Sequence, residues 1–174
     1  MALLVLLLLL GPGAPAADAT VTAPALKAAF LYNFAKFAEW PVEASTGPLT
    51  ICVLGDSAVA DALDDTVRGR TIDGREIAVS RVKAGGLQKC QLLYVSGLDA
   101  RRSAAAIEEV KHVAVLTVGD REGFAESGGV AGFFVENAKM RFAINVEAAQ
   151  RARLRLSSRL LSLAKLVKED HVQH

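Results

Sequence analysis

The chain has 174 residues, 52% of them apolar and 22% charged, with a formal net charge of +1, which is enough to build one self-sufficient core. A charge so close to balance gives no electrostatic footprint for a polyanion, so no nucleic-acid partner is expected. The two cysteines and three histidines, His112, His171 and His174, show no metal-ligand spacing, so no metal and no cofactor are expected.

Residues 3–10 form an apolar run, followed by Gly-Pro-Gly-Ala-Pro-Ala-Ala. The run is too short to span a bilayer, and Ala14, Pro15 and Ala16 supply small residues before a cleavage point, although no Lys or Arg precedes the run. Residues 1–17 therefore read as a secretory signal peptide, cut near Ala16 or Ala17. A single domain is expected over 22–168, with a frayed tail at 169–174.

Residues 26–41, LKAAFLYNFAKFAEWP, hold five of the ten aromatic residues of the chain. Leu26, Phe30, Phe34 and Phe37 recur at helical spacing, which predicts a helix from 26 to about 39 with one apolar face and with Lys27 and Lys36 reaching solvent. Trp40-Pro41 ends it, because a residue before proline is driven out of helical geometry. The stripe reads mainly as core. Tyr32 and Trp40 do not fit a narrow stripe, and with Phe37 they are the candidates for contact with a protein partner.

Short β-prone runs then alternate with amphipathic stretches, the pattern of parallel strands joined by crossover helices. A strand at 51–54 leads through Gly55-Asp56-Ser57 into a helix at 58–67, and a second strand follows at 77–79. A third strand is expected at 92–95, a helix at 101–110 and a fourth strand at 113–118, apolar throughout as a strand buried on both faces would be. Segments 130–135 and 140–144 flank Glu136-Asn137-Ala138-Lys139 and predict an antiparallel hairpin. Helices at 146–153 and 157–167 close the chain. The fold class is α/β: a three-layer, doubly wound, mixed sheet, mainly parallel with a C-terminal antiparallel hairpin, and helices on both faces.

Export gives meaning to Cys52 and Cys90, since thiols pair in an oxidising compartment. They lie in or beside two strands that a parallel sheet could make neighbours, so a disulfide is expected, structural in preference to a redox switch or two free thiols. No C-x-x-C motif is present.

Loops at the carboxyl ends of parallel strands are where such folds bind ligands. Asp56, Ser57, Ser96, Asp120 and Arg121 are the candidates for a small polar or anionic ligand, although a glycine with an Asp or Ser cap is also what an ordinary strand-to-helix turn looks like. No nucleotide fingerprint or P-loop occurs. No catalytic residues are assigned: His112 adjoins an apolar strand, and the adjacent pairs Asp64-Asp65 and Glu108-Glu109 diverge on their helices. The basic residues Arg151, Arg153, Arg155 and Arg159 read as a solvated helix face.

Several blocks carry a family resemblance: residues 25–41, Leu49-Thr-Ile-Cys-Val-Leu-Gly55, Arg68-Gly-Arg70, residues 90–96, Ala125-Glu-Ser-Gly-Gly129, and residues 135–161 with Lys139-Met-Arg-Phe142, Ile144-Asn145, Ala148-Ala149 and Leu156-Ser-Ser-Arg-Leu-Leu161. In this order they resemble the YfiR-like periplasmic proteins over nearly all of the mature chain. The resemblance implies a periplasmic, non-enzymatic inhibitor that binds the periplasmic sensor portion of a membrane-bound diguanylate cyclase and restrains cyclic di-GMP production. Cys52 and Cys90 match a cysteine pair of that family, while a second pair carried by some relatives is absent. Ala143 replaces an acidic residue of the family pattern, and Arg153 stands where Gly is usual.

Two functions are therefore expected in order. The first is a regulator acting on a membrane signalling protein, a diguanylate cyclase or a histidine kinase, with a homodimer left open; the second is a periplasmic receptor for a small molecule read out at the strand-end loops.

Overall fold

A computed structural model describes residues 23–170. The expected signal peptide at 1–17 and the last four residues, 171–174, lie outside the described residues.

Helix α1 spans Ala23–Lys36, and Pro24 in its first turn costs nothing because an N–H there has no intrahelical acceptor. It stops earlier than the Trp-Pro signal implies. Ala38–Glu39 instead form a short strand, β1, antiparallel to β9 at Arg155–Leu156, and the Ser157 N–H donates to the Phe37 carbonyl. The buried line of α1 runs through Ala28, Leu31, Phe34 and Ala35, with Phe30 and Phe37 on its flank, so the stripe read from spacing is rotated from the one that packs.

The body of the domain follows as β2 (Leu49–Leu54), α2 (Ser57–Val67), β3 (Thr71–Ile72), β4 (Arg75–Val82), β5 (Leu92–Val95), α3 (Ala100–Val110) and β6 (Leu116–Gly119). The hairpin β7 (Ala131–Glu136) and β8 (Lys139–Asn145) turns through Asn137 and Ala138, both at positive φ, the backbone that a two-residue hairpin requires. Helix α4 (Val146–Arg151) is capped by Asn145. This fully buried side chain accepts from the Ala148 N–H and donates to the Ala125 carbonyl, both at hydrogen-bond distance.

The last predicted helix is replaced by two elements, α5 (Ser158–Leu161) and a strand β10 (Lys165–Val167) parallel to β8. Leu160, Leu161, Ala164 and Val167 match helical spacing, but β8 has an unpaired edge, and ladder hydrogen bonds to it outweigh local periodicity. Glu169 pairs with Arg151, and the Asp170 N–H donates to the Glu126 carbonyl, so these two residues are held where a frayed end was expected.

The eight-stranded sheet has the order β3-β4-β2-β5-β6-β7-β8-β10. Strands β4, β2, β5, β6 and β7 are mutually parallel, with β3 antiparallel at one edge and β8 antiparallel to β7 near the other. Alternate side chains feed two cores. Ile51, Val53, Leu92, Tyr94 and Val118 pack under α1 and α2, while Cys52, Leu54, Leu93 and Val95 pack under α3. Four phenylalanines tie α1 to the hairpin, with Phe34 edge-on to Phe142 at 5.0 Å and Phe30 at 5.7 Å from Phe133. Such pairs each add roughly 0.5–1.5 kcal/mol beyond area burial.

Candidate functional site

The chain leaves β2 for β4 on one side and returns to β5 on the other, so β2 and β5 flank the point where the winding reverses. Their loops run close together there. A Cβ on Gly55, at φ +111°, would lie 2.0 Å from the Ser96 carbonyl oxygen, so only glycine permits this approach.

Beside this point, Asp120 follows β6 and receives three donors on one oxygen. Its Oδ2 lies 2.7 Å from Lys27 Nζ, 2.9 Å from the Tyr94 hydroxyl and 2.6 Å from Ser96 Oγ. Lys27 and Asp120 are only 18% and 21% exposed, so the ion pair is largely shielded from solvent screening. Burial alone would raise the Asp120 pKa; the hydrogen bonds from Lys27, Ser96 and Tyr94 and the Lys27 charge outweigh it and hold the carboxyl below its ordinary value. Burial pushes the Tyr94 hydroxyl far above its ordinary range, and the Asp120 charge adds to this, so Tyr94 stays protonated and donates. A carboxylate held as an anion in this way is a poor base, and it fastens the start of α1 to the sheet.

Of the loop residues singled out by sequence, Ser96 and Asp120 meet directly, and Arg121 lies in the wall of an adjacent cleft of about 590 Å³ shared with Phe134, Met140 and Lys165. Asp56 and Ser57 serve the backbone instead. Asp56 Oδ1 accepts from the Ala58 and Val59 N–H groups at 3.0 and 3.2 Å and caps α2, which Ser57 begins. Lys27 and Tyr94 are the members that sequence reasoning missed, and Lys27, expected in solvent, is turned inward. A tyrosine inside an apolar strand was the available signal, because its hydroxyl must find a partner when buried.

The aromatic candidates lie elsewhere. Trp40 Nε1 donates to the Gln91 carbonyl at 3.0 Å, just before β5, which places it at the amino ends of the parallel strands. The Arg70 guanidinium sits 5.1 Å from the Tyr32 ring centre, and Arg159 and Lys36 lie 5.7 and 5.8 Å from that of Phe37. All three rings are half-buried, and Val42, two residues after Trp40, is 85% exposed. The four arginines do not share a helix face: Arg151, Arg153 and Arg155 pair with Glu169, Glu43 and Glu39, and Arg159 covers Phe37.

Cys52 and Cys90 are joined by a disulfide, with Cα atoms 5.8 Å apart and each residue 2% exposed, inside the core beneath α3. Among the described residues no cluster of three or more His, Cys, Asp or Glu could hold a metal, and no helix is long and apolar enough to cross a membrane.

A model of the YfiR/HmsC-like family, DUF4154, matches residues 24–165, which include all but the first residue of α1, both cores and the disulfide. The chain belongs to the YfiR/HmsC-like family. This is a family of periplasmic regulatory proteins that act with membrane signalling partners. The crystal structure of a conserved domain protein from Vibrio cholerae is similar in fold, with a TM-score of 0.51 at 14% identity over 72% of this chain. At that identity the likeness concerns the fold alone, and this chain spans 57% of that protein's length. No curated protein matches the sequence. Arg153, which the resemblance read from the sequence places at a glycine position, has φ +56°.

Proposed function

We propose that this protein is an exported, non-enzymatic regulator that binds the periplasmic region of a membrane signalling protein, a diguanylate cyclase before a histidine kinase, and lowers cyclic di-GMP. The observation that carries this reading is the family match across residues 24–165. The half-buried Tyr32, Phe37 and Trp40, the first two covered by Arg70 and Arg159, support it, since aromatic and arginine side chains are the usual anchors of protein interfaces. Capture of the purified protein on membranes from its own host, followed by mass spectrometry, tests it. Recovery of an integral membrane protein with a periplasmic domain and a cyclase or kinase output is expected, and recovery of none under oxidising conditions overturns the reading.

The second reading, a periplasmic receptor for a small molecule, is favoured by the cleft beside Asp120 and Arg121, whose volume is in the range of small-ligand sites.

A further inference from the structure

A second cavity, of about 440 Å³, opens on the α3 side of the sheet at the carboxyl ends of β2, β4 and β5. The winding of the sheet reverses here, and on the α3 side the loop after β4 and helix α3 leave a crevice over the end of β2. Open α/β sheets bind ligands at such reversal points. Leu54 and Ala106 form its floor, both nearly buried and both part of the core that holds the disulfide. Leu98 and Ala105 form its side, and Gly85 and Gly86, at φ +97° and +75°, curl the loop carrying Lys83 and Ala84 over its lip.

The polar groups at this cavity are unevenly placed. Lys83 has no ion-pair partner among the described residues, and Arg102 has only an Asp99 oxygen at 3.9 Å, with both side chains well exposed. Glu109, the single acidic residue of the lining, keeps its charge while its Oε1 accepts from the Leu87 N–H at 2.9 Å, but it lies about two helical turns from Arg102 along α3, away from the two cations. The interior is thus aliphatic and the mouth cationic. A compact anion such as phosphate would leave the aliphatic floor wet, and a neutral apolar molecule would leave both cations unused; a nucleotide would require polar partners for its base that these walls lack.

We infer that the cavity bounded by Leu54, Leu98, Ala105 and Ala106, with Lys83 and Arg102 at its mouth, is a binding site for a small amphipathic carboxylate of the short fatty-acid type. The aliphatic chain lies on the core beside the disulfide, and the carboxylate meets the two cations. This goes beyond the partner-binding reading and does not depend on it, because the isolated protein is the binding partner.

Titration of octanoate into the purified protein, followed by amide NMR and thermal melts, tests the site, with 1-octanol as the uncharged twin. Octanoate is expected to shift the amide signals of Leu98, Ala105 and Ala106 and to raise the melting temperature, and octanol to bind on the order of tenfold more weakly. The double variant Lys83→Gln/Arg102→Gln should bring octanoate down to the affinity of octanol. Ala105→Phe, at an exposed helix position, should fill the cavity and abolish binding while its own melt stays near that of the parent. Absence of shifts at these three residues, equal affinity for octanol, or undiminished binding by Ala105→Phe overturns the proposal.

Discussion

Asp120 concentrates more of the site's electrostatics than any other single side chain, because Lys27, Tyr94 and Ser96 all satisfy themselves on one of its oxygens. Asp120→Asn keeps an acceptor but removes the counter-charge of a shielded lysine, and should cost about 1–3 kcal/mol in urea unfolding near neutral pH. The pH dependence has a definite sign. Because the folded pKa lies below the ordinary value of 3.8, the carboxylate's contribution is present above that value and is lost as pH falls through the folded pKa. The stability gap between parent and Asp120→Asn should therefore narrow progressively below about pH 4, and a gap of constant size would show that the ion pair does not form. At Arg153 the strain is in the backbone. A non-glycine residue at φ +56° costs on the order of 1 kcal/mol, more than its exposed pair with Glu43 returns, so Arg153→Gly should raise the unfolding midpoint slightly.

At the scale of elements, the cross-link between β2 and the residue that opens into β5 fixes the pair of strands at the reversal point. Closing a loop with a sequence separation of 38 restricts the unfolded chain by about 4 kcal/mol in the loop-entropy model. Cys52→Ser should then lower the melting temperature by on the order of 10 °C for a domain of this size, and an unchanged melt would show that the bridge is open in solution. The alternation of strands with helices and the hairpin around Asn137 and Ala138 were legible in the sequence because each rests on a local pattern, and the cysteine pair because only two thiols are available and each adjoins a predicted strand. What was not legible depends on distant partners. The end of α1 is set by β1 pairing with β9, and β10 exists because β8 offers it an edge, although its leucines repeat at helical spacing. The same holds within the site: Ser96 and Asp120 were readable as strand-end polar residues, but Lys27 is 93 positions from Asp120, and only the packing of α1 on the sheet brings them together.

For the molecule as a whole, this geometry separates two kinds of surface. The polar cluster, its cleft and the aliphatic cavity all sit at the carboxyl ends of the parallel strands, whereas Trp40 docks at their amino ends, and the segment from Tyr32 near the end of α1 through β1 leads there. A regulator with a ligand site at one end and a protein contact at the other would let ligand binding act through the sheet without competing for the partner. The two ends make opposite predictions for partner capture. Arg159→Glu reverses the charge over the Phe37 ring at the aromatic end, while Arg121→Ala removes an exposed arginine from the cleft wall at the other. If the aromatic end carries the contact, Arg159→Glu should weaken membrane capture on the order of tenfold and Arg121→Ala should leave it unchanged, with both variants melting near the parent. The reverse pattern would move the protein contact to the cleft and leave the aromatic end as packing for α1 alone.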